Sequence, residues 1–92
     1  MINTEGRTET NYIHGGIQYI YEFDNGFGAS VIRHEGSYGF DRDLWEVAVL
    51  DNQGKLCFST KVTSDVMGYL TEEEVNSKIN EIRGLQTPQN VV

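Results

Sequence analysis

One cysteine, one proline and one tryptophan occur in 92 residues, and lysine and arginine together number seven against fourteen acids. Each scarcity excludes something. With Cys57 alone, no internal disulfide framework can form, and a reducing compartment is expected. A formal charge of −7 speaks against direct binding to nucleic acid, where basic residues must neutralise phosphates. No basic-then-apolar leader and no long apolar run is present, so neither export nor a membrane span is indicated, and the expected address is cytoplasmic. Two histidines and one cysteine, far apart, do not suggest zinc, and no cofactor motif is recognisable. Gly26-Phe27-Gly28 lacks the third glycine and the following helix of a phosphate-cradling loop, so turn chemistry explains it better.

What is present is strand and turn. Ile17–Phe23, Asp24-Asn25-Gly26 and Phe27–Glu35 read as strand, turn, strand, and Leu44–Asp51, Asn52-Gln53-Gly54 and Lys55–Val62 repeat the plan. Asn-Gly is the strongest two-residue turn signal because both central positions of a type I′ turn need positive φ. That turn sets Asp24 opposite Phe27, Glu22 opposite Ala29, Ile20 opposite Val31 and Tyr19 opposite Ile32. The second loop, ending in Gly54, suits a type I turn with a glycine bulge and sets Asp51 beside Lys55 as a surface ion pair. Residues 1–16 are polar and read as a mobile arm. Residues 17–85 form the domain, and residues 86–92, with Pro88, form a tail.

A helix follows Thr71. Thr71-Glu72-Glu73-Glu74 is a capping box, Leu70 and Val75 fit the hydrophobic staple, and Val75, Ile79 and Ile82 share a face up to Gly84. The expected fold is therefore α+β: a four-stranded antiparallel β-meander of two hairpins with one C-terminal helix on a face. One helix covers one side of such a sheet. Trp45, Val47 and Val49 lie on one side of the third strand, and Leu44, Ala48 and Leu50 on the other. Whichever side the helix leaves open is apolar and calls for another cover.

Chemistry is thin. His34, Glu35 and Ser37 sit at a strand end with no nucleophile elbow or oxyanion donor nearby, and a polar turn explains them better. Asp41 and Asp43, with Glu35, fit no calcium-loop spacing. The expected contact surface is the open side around Trp45, Val47 and Val49, together with the acidic loop Asp41–Asp43, since aromatic residues concentrate at interaction sites.

Three stretches, Tyr21–Val31 (YEFDNGFGASV), Arg33–Gly39 (RHEGSYG) and Leu44–Leu50 (LWEVAVL), resemble a group of small bacteriophage and prophage proteins. The stretch Asp65–Val75 (DVMGYLTEEEV) is similar to theirs as well. The resemblance implies a viral origin and work inside an infected bacterium, with no functional residues to carry across. The function expected is a non-enzymatic protein-interaction module that binds or inhibits a host protein, such as a defence system, or that binds a phage protein or a second copy of itself as a homodimer. Alternatives are a metal-assisted hydrolase or nuclease using Glu35, Asp41 and Asp43 with His34 as base, and a self-assembling structural phage component.

Overall fold

The computed structural model describes residues 1–57, 60 and 66–85. It is an α+β fold whose antiparallel sheet has five strands rather than the expected four, ordered β1-β2-β3-β4-β5. The strands are β1 Arg7–Ile13, β2 Gly16–Glu22, β3 Gly28–Arg33, β4 Trp45–Leu50 and β5 Met67–Leu70, followed by helix α1 Glu72–Arg83. No helix among the described residues is long and apolar enough to cross a membrane.

The additional strand comes from the segment expected to be a mobile arm. Arg7–Ile13 pairs along β2 from Arg7↔Tyr21 to Ile13↔Gly16. Its turn is His14-Gly15, with φ of +48° and +73°, the two-residue geometry whose twist matches that of the flanking strands. Ahead of it, Met1–Gly6 runs over α1. The Asn3 amide donates to Asn76 Oδ1 at 2.7 Å, and Asn76 Nδ2 donates to the Met1 carbonyl at 2.7 Å. Ile2 is buried in the core, and Arg83 binds Glu5 through its carboxylate and its carbonyl, each at 3.0 Å.

The β2–β3 register differs from expectation by one residue. Tyr21 pairs with Ala29, Ile20 with Ser30 and Tyr19 with Val31. The Phe23 amide donates to the Phe27 carbonyl at 2.8 Å, so the loop holds three residues, with Gly26 at φ +86° closing it as a glycine bulge. Because side chains alternate, a one-residue slip moves a whole set to the other face. The observed register gathers Tyr19, Tyr21, Ala29, Val31, Val47 and Val49 on one side. With Val75, Ile79 and Ile82 of α1 they make a single core. The two-sided apolar sheet inferred from the sequence is thereby reduced to one strongly apolar side.

The other side carries a polar ladder: Asn11 Nδ2 donates to Gln18 Oε1 and Gln18 Nε2 to Ser30 Oγ, both at 3.1 Å. Ile20, Ile32, Ala48 and Leu50 flank it on the same face.

The second hairpin begins as expected. The Asp51 amide donates to the Lys55 carbonyl at 2.7 Å, Leu56 bridges Leu50, and the Cys57 amide donates to the Val49 carbonyl at 2.8 Å. The rest of the expected strand to Val62 falls largely outside the described residues. Further along β4 the partner is β5, with Trp45↔Leu70 and Val47↔Met67 around a bulge. The Asp51 carboxylate accepts from the backbone amides of Gln53 and Lys55, at 2.8 and 3.0 Å, rather than pairing with the Lys55 ammonium. Those bonds hold it below the ordinary carboxylate range.

Helix α1 has the capping box read from the sequence. The Glu74 amide donates to Thr71 Oγ1 at 3.2 Å and the Thr71 amide to Glu74 Oε1 at 2.9 Å. Carbonyls at its C-terminus and just beyond are met by Asn25 of the β2–β3 loop, whose Nδ2 lies 2.9 Å from Ile82 O, 3.0 Å from Arg83 O and 2.9 Å from Leu85 O.

Candidate interaction surface

The residues expected to form a contact surface separate in the structure. Trp45, Val47 and Val49 are 3%, 0% and 1% exposed, beneath α1. The helix covers their side of the sheet, because the observed register places Tyr21, Ala29 and Val31 there too. The expected contact surface on that side is corrected accordingly: these three are core, and Trp45 stacks on Tyr19 with ring centroids 5.7 Å apart. Asp41 and Asp43, in contrast, are exposed, on and just after a 3-10 turn, Phe40–Arg42, between β3 and β4.

Beside that turn stand two tyrosines that the sequence alone does not single out. Tyr38 and Tyr69 are 58% and 55% exposed, and their rings stack with centroids 6.4 Å apart at an interplanar angle of 24°. The Arg42 guanidinium lies 6.0 Å from the Tyr69 ring. Exposed Tyr and Arg are the residue types that most often dominate binding energy at protein interfaces.

The pair is built by its backbone. Tyr69 has φ +59°, a left-handed conformation that costs a residue with a β-carbon about 1–2 kcal/mol. Its amide donates to the Tyr38 carbonyl at 3.3 Å, and the Tyr38 amide donates to Glu46 Oε1 at 3.1 Å. Gly68 permits the approach, since a β-carbon there would sit 2.5 Å from Tyr38 Cβ. The Gly-Tyr at 68–69 and Tyr-Gly at 38–39 are the sequence trace of this arrangement. Its meaning depends on a β3–β4 loop meeting the β5 bulge, which no local pattern discloses.

The polar groups at the end of β3 form a turn. Ser37 Oγ donates to the His34 carbonyl at 2.8 Å and accepts from the His34 amide at 3.1 Å. The His34 ring packs edge-on to His14, and its Nδ1 lies 2.9 Å from the Glu35 carbonyl. The hydroxyl thus engages the His34 backbone, and the ring engages a different partner. Among the described residues no three His, Cys, Asp or Glu side chains are grouped to hold a metal ion. Cys57 is half-buried against the core.

No protein-family model, curated protein or solved structure matches the chain.

Proposed function

We propose that this chain is a non-enzymatic protein-interaction module of phage type, acting in the host cytoplasm. It docks through Tyr38, Tyr69 and Arg42, with Asp41 and Asp43 at the margin, onto a basic and partly apolar surface of a host protein. The observation that carries the reading is Tyr69: a bulky residue held left-handed so that an aromatic pair stands in solvent. Strain of this kind persists only where the surrounding structure over-determines it, and it concentrates at functional positions. The two carboxylates, on a chain of charge −7, give the partner's sign, because complementary charge steers encounter and selects partners. The resemblance to phage proteins supports the host-directed part of the reading.

The test compares the tagged chain with a Tyr38→Ala/Tyr69→Ala variant in capture from bacterial lysate. The expected result is a basic host protein retained at low salt by the parent chain, lost from the variant and weakened by Asp41→Asn/Asp43→Asn. A variant with an unchanged melt and an unchanged set of retained proteins overturns the assignment.

A further inference from the structure

A second feature lies at the opposite end of α1 from Asn25. Near Glu72, between the leading segment, the ends of β2 and β3 and the Phe40–Arg42 turn, a cleft of about 540 Å³ opens. That volume is in the range of small-molecule sites, roughly 300–1,000 Å³. Ile17, Tyr19, Trp45 and Phe40 line it together with Arg7 and Arg33.

The two arginines are arranged unusually for so acidic a chain. The Arg7 guanidinium lies 3.6 Å from the Tyr19 ring centroid, and that of Arg33 lies 4.6 Å from the Trp45 ring. A guanidinium seated over a ring uses its face and leaves its in-plane N–H donors available. Arg7 spends one nitrogen, donating from Nη2 to the Asn3 carbonyl at 3.0 Å and to the Tyr21 hydroxyl at 3.1 Å. Its Nε is buried without an acceptor. Arg33 has no hydrogen-bond acceptor or ion-pair partner among the described residues. Asp43 and Glu72 also line the cleft, yet neither lies within ion-pair distance of either guanidinium. The described ion pairs are Met1–Glu72, Lys78–Glu81 and Arg83–Glu5.

The unpaired guanidinium of Arg33, with the partly engaged one of Arg7 beside it, favours a negative group with a flat apolar body against the apolar walls. Planar N–H forks match carboxylate and phosphate oxygens two at a time. A polyanion is disfavoured by the −7 charge of the chain and by the limited size of the cleft. We propose that this cleft binds a small organic anion, its carboxylate or phosphate held by Arg33 and Arg7 and its flat body lodged against Ile17, Phe40 and the edge of the Tyr19 ring. The site includes neither Tyr38 nor Tyr69, although Asp43 borders both surfaces.

Trp45 is the chain's only tryptophan, so its emission reports on the cleft directly. The full chain is titrated with phenyl phosphate, benzoate, inorganic phosphate and benzyl alcohol, following Trp45 emission and the amide shifts of Gly15 and Gly16. The expected result is saturable binding of phenyl phosphate or benzoate, with inorganic phosphate and benzyl alcohol each at least about tenfold weaker. Whichever of the two organic anions binds more tightly identifies the head group. Arg33→Gln is expected to weaken binding about tenfold or more, and Arg33→Lys by less, since it keeps the charge and loses the fork. Three outcomes overturn the proposal: no saturable response to either organic anion by both readouts, inorganic phosphate binding as tightly as phenyl phosphate, or a folded Arg33 variant that binds like the parent.

Discussion

Asn25 and Ile82 are 57 residues apart in sequence, and the Asn25 amide nitrogen donates to the Ile82 carbonyl at 2.9 Å. The same nitrogen, Nδ2, reaches Arg83 O and Leu85 O, while Asn25 Oδ1 accepts from the Phe27 backbone amide at 3.0 Å. A single side chain thus shapes a hairpin loop and terminates a helix. Gly84 caps the helix at φ −86°, its amide donating to the Asn80 carbonyl and the Leu85 amide to the Ile82 carbonyl, while Asn25 adds a donor for the Arg83 and Leu85 carbonyls. Asn25→Ala is expected to destabilise the fold by about 1–3 kcal/mol, the cost of leaving such acceptors unmatched. Asn25→Asp should be at least as harmful, because it removes the donor and puts negative charge at the negative end of the helix dipole. Urea midpoints check both, and an aspartate variant as stable as the parent would rule out the capping role.

Tyr69→Gly separates stability from binding. Relieving the left-handed backbone should offset much of the lost side-chain packing and leave the urea midpoint unchanged or raised by about 1 kcal/mol. Partner capture should be lost in the same variant. A clear fall in stability would mean that the Tyr38–Tyr69 stack is a structural contact first.

Asn76 clasps the leading segment through two bonds of 2.7 Å, from the Asn3 amide and to the Met1 carbonyl. Asn76→Ala should cost about 1–2 kcal/mol. It should also speed hydrogen exchange at the Asn3 amide far more than at the β3 and β4 amides. Equal acceleration everywhere would show that the segment opens only with the whole fold.

Acid should loosen the two capping carboxylates in turn. Glu74 is held below its ordinary value of 4.5 by the Thr71 amide and hydroxyl, and Asp51 below 3.8 by the Lys55 and Gln53 amides. A depressed folded-state value contributes stability that is present above the unfolded value and lost as pH falls through the folded one. Thermal melts should therefore decline below about pH 4.5. Glu74→Gln should flatten the upper part of that decline and Asp51→Asn the lower part.

The alkaline limit belongs to Tyr21. Burial raises its phenol above the ordinary value of 10.0, opposed by the hydrogen bond and charge of Arg7. A raised folded-state value gives stability that is complete below the unfolded value and disappears as pH climbs through the folded one. Melting temperature should fall above about pH 10. Tyr21→Phe should remove that slope while lowering stability at neutral pH, because the bonds to Arg7 and the Asn3 carbonyl are lost.

How much of this was legible follows from where the information resides. The start of α1 is written locally, in four residues whose side chains and amides satisfy one another, and the structure has the same capping box. Locally, Asn25-Gly26 specifies a two-residue turn. The chain instead uses Asn25 to reach α1 and Gly26 to close a three-residue loop, a choice made by a tertiary contact. That single slip parts Ala29 and Val31 from Tyr19 and Tyr21, so both sides of the sheet look apolar and nothing local says which one the helix takes. β1 was missed because Arg7–Ile13 is polar, as an edge strand beside solvent can be. Its β-favouring threonines and the His14-Gly15 turn were the available signal. The tyrosine pair was invisible for a different reason: Tyr38 and Tyr69 meet only once the sheet has closed.

The strap over α1 also bears on how the chain is made. Asn3 and Asn76, like Glu5 and Arg83, are contacts more than 70 residues apart, and such closures are slow because loop entropy is lost before any contact is gained. During synthesis, β1 to β4 leave the ribosome before α1, which covers Val31, Val47 and Val49, has emerged. The nascent sheet must therefore hold its apolar side open until α1 emerges. Over that interval the chain is most exposed to aggregation and to chaperones, and variants that slow the docking of α1 should reduce yield in cells more than their equilibrium stability suggests.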